Sequence, residues 1–352
     1  MTTRRVWRLS AAGSLERLAQ VTEDLPPPAP GAARVRVEAI GLNFADVFAS
    51  LGLYSATPPG PFVPGLECAG VVEALGPSRA GGDGAAAAVA PGDRVMVLTR
   101  FGGYATALNV DTRYLVTIPS GWTMAEGSAY LVQALTAWYG LVHLGALAPG
   151  QVVLIHSAAG GVGLHAVAMA HALGARVIGT VGRGDKLPLL EAHGLARPQV
   201  VVRDAKRFGT QLDTALAGIR ASGFDLVFDA IAGPFFRPAL VRLAPEGRHV
   251  LYGAADFMPR GAGPNWLRLA WQYLRRPRLD PLKLVDKNRS IMGFNLIWLF
   301  EQADRLPVSA AAALALSAAA PHIGARFEFD EMPRALRALQ SGCTTGKVVV
   351  EL

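Results

Sequence analysis

The chain has 352 residues, which is long enough for about two packed domains. Because 51% of the residues are hydrophobic and only 17% are charged, the composition excludes a disordered protein. It has no run of about eighteen uncharged apolar residues and no signal-peptide pattern, which argues against a membrane-spanning or secreted protein. Two cysteines cannot form a disulfide framework and favour a reducing cytoplasm, while the net charge of +7 leaves anionic partners open.

The first part of the chain, residues 1–127, is predicted to be a β-rich domain. Apolar and polar residues alternate in 35–40 and in 70–75, and residues 93–98 form a further candidate strand after a Pro-Gly turn. The Gly- and Ala-rich stretch 81–88 is typical of a surface loop.

A glycine-rich turn near the middle of the chain is the strongest functional signal. The apolar run Gln151–His156 precedes the turn Ser157–Gly163, and apolar residues at helical spacing follow it. A strand, a glycine turn and a helix in this order are typical of a dinucleotide-binding crossover, in which the helix N-terminus supplies N–H donors to a pyrophosphate. A plain tight turn is the alternative. The cofactor contacts expected from the turn are Ala159, Gly160, Gly161, Val162 and Gly163.

The residues after the second predicted strand, 175–181, indicate which dinucleotide is bound. A site for NAD carries a carboxylate about 20 residues beyond the glycines, whereas this chain has Arg183 there. Arg183 and Lys186 suit the 2′-phosphate of NADPH, because a guanidinium binds phosphate bidentately. Asp185 is a candidate cap of the following helix, and a solvated loop is the alternative for both cations. NADPH is the expected cofactor.

Strands and helices alternate around this turn, which predicts a doubly wound parallel sheet. The second domain is placed at residues 128–296. A helix over about 125–144 leads into it, and 290–293 is an expected edge strand. The other expected strands lie near 151–156, 175–181, 199–202, 224–229 and 248–252.

The last part of the chain, 297–352, has mixed character. Ser309 is a candidate cap for a helix over 310–320 that Pro321 ends. Residues 346–351 are predicted to form a closing strand.

A basic and aromatic insertion occupies about 257–289 of the second domain. From 260 to 289, Arg and Lys residues interleave with Trp266, Trp271 and Tyr273. Such a pattern is compatible with binding to nucleic acid or to an anionic membrane surface. The favoured interpretation is an amphipathic helix whose aromatic face packs on its own domain, so neither partner is expected.

Motifs along nearly the whole chain resemble the medium-chain dehydrogenase/reductase superfamily. Within it, the chain is similar to the zinc-free quinone oxidoreductases, zeta-crystallin among them. The stretch Asn288–Leu296 and the insertion before it resemble bacterial relatives of the vesicle amine transport protein. The other motifs that carry the resemblance are Gly41–Asp46, Gly52–Tyr54, Pro64–Val72, Pro91–Val95 and the glycine turn.

The resemblance implies a fold and an assembly. An N-terminal GroES-like domain and a Rossmann domain are expected, with a C-terminal segment that returns to the first domain. The active site is expected in the cleft between the two domains. The resemblance also implies a cytoplasmic homodimer.

No metal is expected at this site. Zinc-dependent relatives carry Cys at the position of Asn43 and His at that of Leu66, and neither residue here is a strong zinc ligand. Cys68 and Cys343 are too few for a four-cysteine site and are interpreted as small buried hydrophobic residues. Without a Lewis acid, the expected substrates are quinones and α,β-unsaturated carbonyls, in which the charge left by hydride addition delocalises.

Three residues are the candidates for catalysis. In the family, the residue matching Asn43 lies near the nicotinamide ribose and carboxamide. Tyr54 resembles a tyrosine that lines the quinone pocket, where a phenol can donate to a substrate oxygen. Asp46 could orient a donor. The alternatives are a helix N-terminal charge for Asp46 and a wall residue with its hydroxyl in water for Tyr54.

The resemblance implies further cofactor contacts. Thr136 matches a threonine that contacts the nicotinamide, with a bond to the preceding helical turn as the alternative. Arg203 falls where relatives place a residue beside the adenosine phosphate. Gly253, Phe294 and Asn295 match strand ends that adjoin the nicotinamide and its ribose.

The sequence therefore predicts a metal-free, NADPH-dependent reductase of a quinone or an α,β-unsaturated carbonyl. An enoyl-thioester reductase is the alternative, weakened because residues 254–256 stand where polyketide enoyl reductases usually have a lysine. A non-catalytic family member that binds nucleic acid or a membrane is a third hypothesis.

Overall fold

The computed structural model describes residues 2–79, 89–259 and 261–352, so the loop predicted at 81–88 lies outside the described residues. The described strands form a two-stranded, a six-stranded and a seven-stranded sheet. In chain order the strands are β1 (Thr2–Leu9), β2 (Leu18–Leu25), β3 (Ala32–Leu42), β4 (Glu67–Leu75), β5 (Arg94–Leu98), β6 (Ala107–Asp111), β7 (Leu115–Thr117), β8 (Val152–Ile155), β9 (Arg176–Val181), β10 (Val200–Val202), β11 (Phe224–Asp229), β12 (Leu243–Leu251), β13 (Ser290–Gly293), β14 (Ile323–Glu328) and β15 (Lys347–Glu351).

The seven-stranded sheet is built around β3. This strand pairs antiparallel with β4, β6 and β15. Val35 and Val37 are buried while Arg36 between them is exposed, which is the period of two that predicted the strand. The predicted closing strand is present as β15 and, together with β14, joins this first sheet. The domain boundaries at 127 and 296 stay predictions.

The six-stranded sheet is parallel throughout, in the order β10-β9-β8-β11-β12-β13. The chain runs outward from β8 to β10 and then crosses back to β11, so the order reverses between β8 and β11. This is the strand order of a doubly wound dinucleotide-binding sheet, in which ligands bind at the point of reversal. The predicted combination of a GroES-like domain and a Rossmann sheet is confirmed. Strand β12 begins at Leu243, earlier than predicted.

Helices cover both faces of this sheet. Val153 and Ile155 belong to one hydrophobic cluster, and the alternating Val152 and Leu154 belong to another. The α-helices are α1 (Phe44–Ser50), α2 (Met124–Ser128), α3 (Leu131–Trp138), α4 (Gly161–Ala172), α5 (Leu187–Ala192), α6 (Phe208–Gly218), α7 (Gly233–Leu240), α8 (Trp266–Leu274), α9 (Leu282–Val285), α10 (Leu306–Leu316) and α11 (Met332–Gln340). None of the described helices is long and apolar enough to cross a membrane.

Two predicted helices have other bounds. The helix predicted over 125–144 is divided into α2, α3 and a π-helical turn, Tyr139–Leu144. The helix predicted over 310–320 is α10, which begins at Leu306 with a proline in its first turn. Ser309 therefore lies inside the helix rather than at its cap, and the helix ends before Pro321 is reached.

The aromatic side chains of the insertion before β13 are not packed as the sequence analysis predicted. The side chains of Trp266, Trp271 and Tyr273 are more than half exposed. No residue of α8 is buried. The prediction that the aromatic face packs on its own domain is wrong.

Candidate active site

A cavity of about 580 Å³ lies between the two domains. On the Rossmann side its wall includes Ser157, Val181, Ala230 and Leu251, at or just beyond the carboxyl ends of four parallel strands. This is the edge of the sheet where ligands bind in doubly wound folds. The sequence-predicted residues that line it are Asn43, Tyr54, Thr136, Ala159, Gly160, Gly161, Val162, Gly163, Lys186, Gly253, Phe294 and Asn295, whereas Asp46, Arg183 and Arg203 do not line it.

The glycine turn is packed tightly against the protein. A Cβ at Gly161 would lie 1.9 Å from the Gln133 amide, and one at Gly163 would lie 2.3 Å from the Ser157 carbonyl oxygen. Because α4 begins at Gly161, the N–H groups of its first turn have no partner within the helix. The turn therefore presents amide donors at a helix N-terminus, an arrangement that binds anions.

Two cations lie at the end of β9, and one of them lines the cavity. This is Lys186, whose Nζ donates to the carbonyl oxygens of Gly342 at 2.9 Å and Thr344 at 2.7 Å. Arg183 is exposed, and its Nη2 lies 2.7 Å from Asp185 Oδ2. Asp185 is therefore an ion-pair partner and not the helix cap considered from the sequence. A phosphate at this point would share Arg183 with Asp185.

Arg203 lies behind β9 and outside the cavity. Its Nη1 donates to Thr180 Oγ1 at 2.8 Å, and its guanidinium stands 5.4 Å from the centre of the Phe235 ring. Burial lowers the pKa of Arg203 to about 10, so it remains cationic at neutral pH. A Cβ on Gly182, which lines the cavity, would lie 3.2 Å from Arg203 Nη2. Arg203 therefore lies next to Gly182 in the cavity wall without lining the cavity itself.

Thr136, Gly253 and Phe294 form a further part of the wall. Thr136 Oγ1 donates to the Val132 carbonyl at 2.6 Å, which leaves the hydroxyl oxygen as an acceptor toward the cavity. A Cβ at Gly253 would lie 2.6 Å from the Ala230 carbonyl oxygen, so a larger residue would displace the backbone. The Phe294 ring packs against the Tyr139 ring, with the two ring centres 4.9 Å apart, and this contact restricts its position.

Tyr54 presents a phenol to the cavity. Its hydroxyl donates to Asn295 Oδ1 at 2.7 Å. Burial raises the pKa of Tyr54 to about 12, so the phenol stays protonated at any working pH. Rotation of the hydroxyl away from Asn295 would supply a neutral donor to a ligand oxygen.

The first-domain wall rests on a buried ion pair. Lys347 Nζ contacts Glu67 Oε1, and both side chains are excluded from water. Asn43 joins them, because its Nδ2 donates to Glu67 Oε1 at 3.0 Å and its Oδ1 accepts from Lys347 Nζ at 2.8 Å. The Asn43 Nδ2 group also donates to the Gly41 carbonyl at 3.3 Å. Both N–H bonds of the Asn43 amide are thereby used inside the protein, so it offers a ligand no free donor.

Two contacts connect this network to the glycine turn. With the Gln133 amide oriented so that both its ends are satisfied, its oxygen accepts from Lys347 Nζ at 3.2 Å and its nitrogen donates to the Ala129 carbonyl at 3.3 Å. The same amide packs on Gly161. The N–H of Gly346, next to Lys347, donates to the carbonyl of Ala159 within the turn at 2.9 Å.

Sequence reasoning missed Glu67, Gln133 and Lys347. A signal for the two charges does exist, since each opens an apolar strand and a buried charge requires a partner. The pairing itself could not be predicted, because the two residues lie 280 positions apart.

Asp46, in the first turn of α1, is fully buried and does not line the cavity. Its Oδ2 accepts from Asn43 N at 2.8 Å and from the Tyr104 hydroxyl at 3.0 Å, while Oδ1 has no partner among the described residues. Burial raises the pKa of Asp46 to about 7. The carboxylate closes the first turn of α1, the role considered as its alternative, and does not contact the space that a substrate would occupy.

The two cysteines occupy different surroundings. Cys68 is buried as expected, and burial raises the pKa of its thiol. Cys343 is exposed, so its interpretation as a buried residue is wrong; it lies in the turn after α11, where Arg183 Nη1 approaches its Sγ to 3.4 Å. In the ranges that the structure describes, no group of three or more His, Cys, Asp or Glu residues is placed to hold a metal ion.

Family models match both domains. The model described as "Alcohol dehydrogenase GroES-like domain" matches residues 29–120, and the model described as "Zinc-binding dehydrogenase" matches residues 161–303. The human synaptic vesicle membrane protein VAT-1 homolog is 33% identical over 348 residues, which cover 97% of this chain and 85% of that protein. The chain belongs to the medium-chain dehydrogenase/reductase family.

Members of this family with solved structures share the whole fold. Mycobacterial Rv1454c complexed with NADPH has a TM-score of 0.83 at 29% identity, covering 99% of this chain and all of that one. A quinone oxidoreductase of Pseudomonas syringae pv. Tomato DC3000 has a TM-score of 0.80 at 27% identity, with 99% and 100% covered. The CurK enoyl reductase has a TM-score of 0.80 at 26% identity, with 99% of both chains covered.

Breaking the buried ion pair is expected to cost more than removing it. Lys347→Met leaves the Glu67 carboxylate buried and unpaired, and should lower the free energy of unfolding by about 3–5 kcal/mol. Lys347→Met/Glu67→Gln should lose less than the sum of the two single variants, because the double variant carries neither charge of the pair. Urea unfolding of the four proteins measures this coupling, with the exposed Lys206→Met as the control. If the losses of unfolding free energy in the two single variants simply added up in the double variant, the assignment of Lys347 and Glu67 as a coupled pair would be contradicted.

Asp46 is expected to make stability depend on pH. Its pKa is raised from 3.8 to about 7 in the folded chain, so its contribution is most favourable below pH 3.8 and is lost as the pH rises through 7. Asp46→Asn removes this titration. The variant should therefore gain stability relative to the parent as the pH rises over that range, by up to about 4 kcal/mol.

Urea unfolding at a series of pH values checks the Asp46 prediction. Asp24→Asn, at an exposed aspartate of β2, is the control and should leave the profile unchanged. Parallel profiles of Asp46→Asn and the parent chain would contradict the assignment.

Proposed function

We propose that the chain is a cytoplasmic reductase that transfers hydride from NADPH to a quinone or an α,β-unsaturated carbonyl without a metal. The observation that carries the proposal is the cavity itself, which joins a helix-N-terminal glycine turn to an apolar space containing the phenol of Tyr54. The mycobacterial relative complexed with NADPH and the quinone oxidoreductase of Pseudomonas syringae support it.

The residues of the cavity fit a phosphorylated dinucleotide. The amide groups at the start of α4 suit a pyrophosphate, and Lys186 with the nearby Arg183 suits a 2′-phosphate. The Thr136 hydroxyl offers an acceptor for a carboxamide. Gly253, which has no side chain, lets a ligand approach the backbone at that part of the wall. When bound, the nicotinamide would supply a hydride. The protein's part is to align the acceptor and exclude water.

The apolar walls favour a flat, conjugated acceptor. Leu42, Phe48, Leu53 and Leu66 line the space on the first-domain side, and no described carboxylate lines it. Hydride addition to a quinone or an enone leaves the negative charge delocalised onto oxygen. A neutral phenol such as Tyr54 can stabilise that oxygen by a hydrogen bond.

An enoyl-thioester substrate is the second candidate. It is favoured by the similarity to the CurK enoyl reductase, and the reaction is the same hydride addition to an activated alkene. The cavity wall at Ala254 and Ala255 carries no lysine at this point. We also propose a homodimer, whichever substrate is used. Strand β13 lies at the edge of the parallel sheet, and among the described strands of that sheet it pairs with β12 on one side and has no strand on the other.

NADPH oxidation by the purified protein tests the proposal. A panel of quinones, small enones and an enoyl thioester, each with NADH in parallel, is expected to show turnover with NADPH and a quinone or enone. Preference for the thioester would favour the second candidate. Absence of both NADPH binding and turnover would refute the reductase proposal.

Tyr54→Phe is expected to lower kcat about tenfold or more, because the developing oxyanion loses its donor. KM for NADPH should change little. The exposed Tyr273→Phe serves as a matched control. Unchanged turnover of Tyr54→Phe would exclude the phenol as a donor, and a parallel loss in both variants would point to a general effect.

Cofactor choice is expected to depend on the two cations after β9. Lys186→Ala and Arg183→Ala should raise KM for NADPH by about tenfold while leaving KM for NADH nearly unchanged, because only NADPH carries the 2′-phosphate. Lys186, which lines the cavity, should have the larger effect. Steady-state kinetics with both cofactors measures this, with Arg197→Ala as an exposed control. Tighter binding of NADH than NADPH by the parent chain would refute the assignment.

A further inference from the structure

A second cavity, of about 780 Å³, lies next to the cavity of the candidate active site. Phe44 and Ala255 line both cavities, so the two spaces adjoin each other at these residues. At the end of α11, Leu339 lines the first cavity, and the next two residues, Gln340 and Ser341, line the second. A ligand longer than the first cavity would therefore extend past Phe44 and Ala255 into the second.

Hydrogen bonds hold the walls of the second cavity in place. Gln340 Nε2 of α11 donates to the carbonyl oxygens of Pro259 at 2.8 Å and Gly261 at 2.9 Å. The N–H of Leu15 donates to the carbonyl of Ala262 at 2.9 Å. These three bonds connect the start of the insertion to the first domain, on which α11 packs. The second cavity is therefore a space that the insertion builds against the first domain.

Two arginines line the second cavity from different helices. Arg268 belongs to α8 and Arg337 to the last turn of α11, and both residues are exposed. Neither guanidinium forms a salt bridge with a described carboxylate. A guanidinium binds a carboxylate or a phosphate through two parallel N–H bonds. The two side chains are therefore available to an anionic group in the cavity.

Two acidic residues also line the second cavity, and their positions limit their competition with an anion. Glu16 is exposed, so water screens its charge. Asp256 is partly buried and lies against Gly233, where a Cβ would be 2.4 Å from Asp256 Oδ2. Gly233 is the first residue of α7, and the N-terminus of a helix favours a negative charge. The Asp256 carboxylate is therefore placed beside the start of α7.

We propose that the second cavity binds the anionic end of an elongated substrate whose conjugated end occupies the first cavity. The anionic group is a carboxylate or a phosphate held by Arg268 and Arg337. The spacer between the two ends passes Phe44 and Ala255, and Met258 adds apolar surface to the second cavity. That the ligand is a substrate rests on the proposed reductase function, whereas binding of the anion does not.

Two classes of substrate carry such a group. A fatty acid with an enone in its chain ends in a carboxylate, which is ionised at neutral pH. An α,β-unsaturated acyl thioester of coenzyme A carries phosphates at the far end of a long polar arm. Both present the same chemistry to a pair of guanidinium groups.

Titration calorimetry tests the anion site without reference to turnover. The full chain, with NADP⁺ present to fill the cofactor site, is titrated with saturated straight-chain keto acids of increasing length and with their methyl esters. Because NADP⁺ has no hydride to donate, only binding is measured. Above the length that reaches the second cavity, each acid should bind about tenfold more tightly than its ester. Added salt should reduce this preference, because exposed ion pairs are screened.

Arg268→Gln/Arg337→Gln tests whether these two arginines cause the preference. Glutamine keeps a long polar side chain with good helix propensity and removes the charge. The preference for the acid over its ester should fall from about tenfold to about twofold or less. Arg275→Gln/Arg334→Gln, at two exposed arginines outside the cavity, changes the net charge equally and should keep the parent preference. Thermal unfolding of both double variants checks that the fold is kept.

The same variants separate the two sources of the anion. Butyryl coenzyme A and the uncharged butyryl thioester of N-acetylcysteamine form a second matched pair for calorimetry, again with NADP⁺ present. A preference for the coenzyme A thioester that depends on the arginines would assign the cavity to a phosphate. The same dependence with the keto acids would assign it to a carboxylate.

Several results would overturn the proposal. Equal binding of the charged and uncharged ligands in both pairs would do so, as would a preference that Arg268→Gln/Arg337→Gln leaves unchanged. Tighter binding of the matching straight-chain amine would assign the cavity to a cation, held by Glu16 and Asp256. Failure of the proposed function is distinct, since it would appear as absence of NADPH turnover with acids, esters and neutral enones alike. Turnover of neutral enones combined with equal binding of acids and esters would refute the anion site alone.

Discussion

The contact between Lys347 and Glu67 is the interaction on which the site depends. Neither charge reaches water, so each is tolerated only while the other is present. The pair joins three strands of the first sheet, because Asn43 follows β3, Glu67 opens β4 and Lys347 opens β15. Through Gln133 it also fixes the glycine turn of the second sheet. The buried network is therefore one of the connections between the two walls of the cavity, beside the bonds from Tyr54 to Asn295 and from Gly346 to Ala159.

Much of the fold could be predicted from local sequence. Periods of two and the glycine turn located most strands, because burial on one or both faces of a sheet leaves a repeating pattern in the chain. Helix ends were less predictable. A proline in the first turn lets α10 begin before Ser309, and a π-helical turn divides the long helix that leads into the Rossmann sheet. The exposed apolar side chains of α8 show a further limit of prediction from sequence. An amphipathic pattern reveals an apolar face but not what covers it.

The candidate site, like the fold, could be predicted only in part. Backbone positions such as Gly160, Gly253 and Asn295 lie in the cavity where the motifs placed them, since the ends of strands are set by the topology. Side-chain directions depend on tertiary partners. Asp46 turns to its own helix terminus, Arg203 turns behind β9 to Thr180, and the amide of Asn43 is taken up by the ion pair. No local pattern contains that information.

The place of β15 in the first sheet has a consequence for biosynthesis. Strand β3 pairs with β15, which follows it by about 300 residues, so the sheet lacks one of its internal strands until residues 347–351 have been synthesised. Before that point, residues 39–42 of β3 lack their partner strand, while β6 pairs with residues 32–36, and Glu67 lacks its counter-charge. The Rossmann sheet can form earlier, but its glycine turn gains the bond from Gly346 only at that late stage. Completion of the first sheet and the last bond of the glycine turn therefore both depend on synthesis of the same short segment, residues 346–351.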